Sequence, residues 1–187
     1  MLLSAFSKLS TAISLATYIV GASSLAIERS AQICYDTETA AQLCYTLPDK
    51  PPPPQDVLVA DVTFAAEYLR AYGAELKTGR LFTMLTTDGD DCPEWSLYSH
   101  GSVLITAKYL NSAVNSSVLY ADIAPTIDGR SAATAAQQAA ALIGCGTDGG
   151  SDGVLVNTTN PAYNTSTCLA AGYTPQGILV KVVASGN

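Results

Sequence analysis

Four carboxylates crowd one short stretch of this chain, Asp88, Asp90, Asp91 and Glu94, and form its densest group of potential acids and bases. Two carboxyl groups held at the right separation hydrolyse a glycosidic bond, one as acid and the other as base or nucleophile. Neighbours in sequence are not thereby at that separation, and acidic turns are more often solvated, so these residues stand as the alternative reading. Oxygen ligands also hold calcium, and Asp148-Gly149-Gly150-Ser151-Asp152-Gly153 has something of that spacing. It lacks a ligand at the third position and the bidentate Glu at the twelfth, so a plain flexible loop is expected and no metal is assigned. His100 is the only histidine. Nucleophilic catalysis needs a nucleophile, a base and an orienting group, and no GxSxG elbow places a serine for it. The glycine-rich segment has no lysine for a phosphate and no helix after it. No catalytic residue and no cofactor are assigned.

The five cysteines, Cys34, Cys44, Cys92, Cys145 and Cys168, have no CxxC spacing, so they read as crosslinks rather than zinc ligands. An odd count implies two disulfides and one further thiol. Cys34-Tyr35 and Cys44-Tyr45 echo each other, and Asp36 capping a short helix over 37–43 would bring these two cysteines together as a local bridge. Three N-glycosylation triplets start at Asn115, Asn157 and Asn164, whereas Asn160 is followed by Pro161. Of the ten tyrosines, Tyr35, Tyr45, Tyr163 and Tyr173 fall in loop-like stretches where a carbohydrate or protein partner could stack.

The elements that must position these residues begin after a leader. Lys8 marks a short basic region, 9–20 is apolar, and 21–26 is made of small residues, so residues 1–26 read as a signal peptide cleaved after Ser24 or Ala26. Such a stretch is too short to anchor in a bilayer, and no later segment is apolar enough to span one. The expected product is therefore secreted, extracellular and free of the membrane after cleavage. An oxidising route agrees with the cysteines and the glycosylation triplets. The net charge is −7, with 16 acidic and 9 basic residues and no basic cluster, which argues against a nucleic-acid partner.

Residues 27–55 form an N-terminal cysteine-containing segment that ends in the linker Pro51-Pro52-Pro53-Pro54, a stiff polyproline spacer. Residues 56–187 hold the folded domain. Leu58, Val62, Ala65, Leu69, Tyr72 and Leu76 share one helical face over 55–78, with Asp56 or Asp61 as N-cap and Gly79 as stop. Strands follow at 81–87, at 95–99 with Trp95 and Leu97 on one face, and at 103–110. Residues 118–123 suit a short helix or a strand ending at Pro125, and a second helix runs over 132–143 from Ser131 to Gly144. Strands at 154–157 and 177–183 complete the order. Helices packed on one face of a small, mostly antiparallel sheet bury both amphipathic stripes, giving a disulfide-stabilised α+β fold.

The leader, the scattered cysteines and the stretch from Cys92-Pro93-Glu94-Trp95 to Lys108 resemble small secreted, effector-like proteins of filamentous fungi. The order of elements over 56–183 is similar to that of killer-toxin-like α/β sandwiches. The resemblance implies an extracellular interaction protein or toxin without catalytic residues. The expected function is that of a secreted glycoprotein binding a host, competitor or cell-wall component, its partner an extracellular protein or carbohydrate. The alternatives are a polysaccharide hydrolase acting through the acidic cluster and a structural wall-associated protein.

Overall fold

A computed structural model describes residues 38–88, 93–165, 168 and 172–186. The leader, Cys34, Tyr35, Asp90, Asp91 and Cys92 lie outside the described residues. The fold is α+β and disulfide-stabilised. A five-stranded sheet has the order β1-β6-β7-β4-β3, built from β1 (Leu43–Cys44), β3 (Glu94–His100), β4 (Val103–Tyr109), β6 (Gly150–Gly153) and β7 (Ile178–Ala184). All its neighbours run antiparallel. The expected strand after Arg80 does not join it: β2 (Leu81–Met84) pairs with β5 (Ser116–Leu119) as a separate ribbon.

Strand alternation gives the large sheet two different faces. Val103, Ile105, Ala107 and Tyr109 of β4 and Ile178, Val180 and Val182 of β7 point to one side, where they meet Val62, Ala65, Ala66 and Leu69 of α1 (Val59–Ala74) and Ile123, Ala124 and Ile127 of α2 (Tyr120–Asp128). These side chains are the core, and their burial is the main stabilising term. Gly73 lets the two helices approach closely, because a Cβ there would stand 3.0 Å from the Tyr120 Cβ.

The opposite face carries Lys108 and Lys181, both buried. The Lys181 ammonium lies 2.8 Å from Glu38 and 2.6 Å from Glu94, and Lys108 pairs with Glu38. Thr106 donates to Glu94 at 3.0 Å. Two cations thus face two anions, with Tyr45 buried beside them and its phenol pushed up to about 12, chiefly by burial. Burial by itself would raise the Glu38 carboxyl; hydrogen bonds from the two lysines reverse that and hold it below the usual range. Breaking such a buried pair by removing one partner typically costs about 3–5 kcal/mol.

The described part of the N-terminal segment, from residue 38 on, is bound to the domain. β1 pairs with β6, and Gln55 and Val57 donate their N–H groups to Asp148 and Thr147. Cys44 is bridged to Cys145, so the local Cys34–Cys44 bridge expected from the tyrosine echo does not form. A bridge closing 101 residues stabilises by about 4–5 kcal/mol in the chain-entropy account, about 2 kcal/mol more than a ten-residue one. Cys168 is a buried free thiol.

Several expected boundaries move for local reasons. α1 starts at Val59 without a side-chain cap of its own, and Leu58 and Leu76 are exposed rather than core-facing. Pro125 does not end α2 but sits inside it, where its fixed φ suits the helix and the buried neighbours Ile123, Ala124 and Ile127 outweigh one lost hydrogen bond. The helix expected over 132–143 shrinks to α3 (Ala135–Ala139), capped by Thr134 in a reciprocal box with Gln137, and passes into a 3-10 segment, Leu142–Asp148. Part of the expected flexible loop is the buried strand β6. Its glycines serve close approach: a Cβ on Gly150 would stand 2.6 Å from the Leu43 carbonyl, and one on Gly153 2.9 Å from Ala40.

Candidate functional site

One stretch of surface is unlike the rest. Phe64, Tyr68 and Tyr72 follow each other at intervals of four along α1, which stacks them in one row beside its buried face. The adjacent edge strand, β3, contributes Tyr98 and His100. A shift of register between Ser96 and Tyr98 makes this possible. Trp95 lies opposite Ala107 on the core side; the extra residue, Leu97, also packs toward the core; and Tyr98 and His100 then face the same way, opposite Ile105 and Val103. Without the bulge, strict alternation from Trp95 would turn both rings to the other face.

The rings meet in near-parallel pairs. Phe64 stacks on His100 at 4.0 Å and 19°, and Tyr68 on Tyr98 at 3.8 Å and 12°. His100 and Tyr98 are themselves within 5° of parallel, as Tyr68 and Tyr72 are within 8°. The guanidinium of Arg80 lies 3.9 Å over the Tyr72 ring and closes one end of the row, while also bonding Glu75 at 2.9 Å. Tyr120 meets Tyr72 edge-on at 5.0 Å, its phenol pushed up to about 12 by burial, so it stays a neutral donor. Phe64 is 44% exposed and Tyr68 43%, each with one side against a β3 ring and the rest open to solvent.

Helix and strand are locked in this register by Ser102. Gly101 holds the β3–β4 turn at φ 52°, and a side chain there would collide with the Asp61 carboxylate. The Ser102 hydroxyl accepts from the Leu58 N–H at 2.8 Å and donates to Asp61 at 2.8 Å, and the Ser102 N–H donates to the same carboxylate oxygen at 2.8 Å. The hairpin thereby supplies the cap that the start of α1 lacks. The Ser102 backbone bond holds the Asp61 carboxyl below its usual range. Asp61 also stands 3.9 Å from His100, whose ring is part of the aromatic row.

Among the described residues, those singled out by type and spacing are not gathered into one site. Asp88 accepts from the Leu85 N–H at 2.7 Å as a turn cap, and Glu94 is held by Lys181 and Thr106. Asp90 and Asp91 lie outside the described residues. Asp152 is buried on β6, and among the described residues no three His, Cys, Asp or Glu side chains are grouped for a metal. Of the loop tyrosines, Tyr45 is buried in the ionic face, and Tyr163 is buried where its hydroxyl donates to Asp122 at 2.6 Å and accepts from the Leu119 N–H at 2.8 Å. Neither is free to stack on a partner; Tyr173 is half-buried. Asn157 and Asn164 are exposed, and the Thr159 hydroxyl donates to the Asn157 side chain at 2.6 Å. Asn115 is half-buried and accepts from the Thr86 N–H at 2.9 Å.

The rings that do assemble carried one signal in the sequence, the i, i+4, i+8 spacing of 64, 68 and 72; the bulge that adds Tyr98 and His100 carried none. Compared with protein-family models, with curated proteins and with solved structures, the chain matches none of them.

Proposed function

We propose that this protein is a secreted, N-glycosylated binding protein without catalytic residues, and that its aromatic row engages a cell-wall polysaccharide. The observation that carries the reading is the pairing of Phe64 with His100 and Tyr68 with Tyr98 on an open surface. A sugar ring has an apolar C–H face and hydroxyl edges. Aromatic rings that keep a polar tip suit both, and the Tyr68, Tyr72 and Tyr98 hydroxyls with Arg80 supply hydrogen-bonding groups along the row. A net charge of −7 disfavours polyanions and leaves neutral glycans as the matching class. A hydrolase acting through the acidic cluster draws little support, since Glu94 is engaged by Lys181 and Asp88 by a backbone N–H. The effector- and toxin-like resemblance fits the same non-catalytic role.

Retention on insoluble chitin and on insoluble β-glucan tests this. The wild-type protein is expected to be held by one of them, and a Phe64→Ala/Tyr68→Ala double variant to lose about tenfold or more in affinity, taking about 1 kcal/mol for each stacked ring. Equal retention of the double variant and the wild type on the bound glycan would refute the assignment, as would retention of neither protein.

A further inference from the structure

A concave surface lies at the far end of β4 from His100. There a cleft of about 750 Å³ opens between the turn that follows β4, the segment that leaves β6 and the approach to β7. Its walls are apolar, with Leu110, Val114, Leu155, Val156, Pro175 and Ile178 prominent, and Leu155 at 54% exposure is among the most open large apolar side chains of the chain. None of the described residues lining it carries a charge, on a protein whose net charge is −7. Asn111, Thr158 and Gln176 supply the side-chain polar groups of the rim together with Thr174. Behind Gly177, which lines the cleft, stands the Ser116 hydroxyl, fully buried and without a hydrogen-bond partner; a Cβ on Gly177 would come within 3.0 Å of it.

We propose that this cleft binds a neutral, mainly apolar small molecule with one hydrogen-bonding end at the amide rim. The volume falls in the range of small-molecule sites, roughly 300–1,000 Å³, and such sites combine apolar walls with a few polar groups that set orientation. The absence of charge among the described lining residues selects against ions. A carboxylate or ammonium entering here would give up water and gain no counter-charge, whereas a hydroxyl loses one hydrogen bond and recovers another from Asn111 or Gln176. The site is separate from the aromatic row and does not depend on the glycan reading.

Titration of the purified protein with the neutral fluorophore N-phenylnaphthylamine, followed by competition with decanol and with decanoate at neutral pH, tests the proposal. Saturable fluorescence gain is expected, displaced by decanol and at least about tenfold less effectively by decanoate. Leu155→Lys and Val114→Asp, each checked for an unchanged circular-dichroism spectrum, should weaken the fluorophore by about tenfold or more. Tyr68→Ala should leave it unchanged. Absence of saturable binding, decanoate competing as well as decanol, wild-type affinity in both cleft variants, or loss of binding in Tyr68→Ala would overturn it.

Discussion

Asp152 lies on the helix-facing side of β6, opposite Val180 and 4% exposed, and burial raises its carboxyl to about 6 from an ordinary value of 3.8. A carboxyl whose folded value is raised stabilises the native state most when it is protonated in both states. As pH climbs from about 4 to 6 the unfolded chain has released the proton and the folded chain still holds it, so stability falls across that window. A shift of this size corresponds to about 2–3 kcal/mol. Asp152→Asn removes the titration: chemical denaturation at pH 4 and pH 7 should show the wild type losing stability relative to the variant by about 2 kcal/mol, with the variant the more stable at pH 7. A pH-independent difference would show that the Asp152 carboxyl binds its proton equally well in the folded and unfolded chain. Residue type alone placed Asp152 in an exposed calcium-like loop. The position of its backbone in a strand, set by glycines that admit β1, is what buries it.

At the scale of elements, α1 and the β3–β4 hairpin behave as one piece because Ser102 bonds both the Leu58 N–H and Asp61. Ser102→Ala leaves the first turn of α1 uncapped from the hairpin and takes one of the two Ser102 bonds from the carboxylate. It should cost about 1–2 kcal/mol in thermal or denaturant unfolding. It should also speed amide exchange at the start of α1 more than in β7. Uniform loss of protection would count against a local coupling. The helix and the β-prone runs around it were legible in the sequence, since Val62, Ala65 and Leu69 recur at helical spacing and are buried. The bulge at Leu97 was not legible, because one extra residue in a strand leaves the pattern of residue types unchanged while reversing the faces that follow. The N-cap was likewise hidden: Asp56 and Asp61 are the right residue type, but the cap comes from a hairpin some forty residues later. Loss of one predicted helix to a short α3 and a 3-10 segment follows from alanines that permit a helix but bury no face of it.

The whole molecule is a sheet with an apolar side under two helices and an ionic side under its own N-terminal segment. The α+β class followed from the order of periodic stretches, and the need for crosslinking from the cysteine count. Which cysteines pair did not follow, because Cys44 and Cys145 meet only once β1 lies beside β6. The aromatic row belongs to this scale too, since no single element builds it: α1 supplies three rings, and β3 brings two to meet them. Because His100 is the only histidine and stacks directly on Phe64, its ring protons report on that face without ambiguity. Proton NMR during titration with a soluble oligomer of the retained glycan is the most direct test of the binding face. The proposed glycan-binding role predicts saturable movement of the His100 ring signals in the wild type and none in Phe64→Ala/Tyr68→Ala. Binding by calorimetry with the His100 signals unmoved would contradict it.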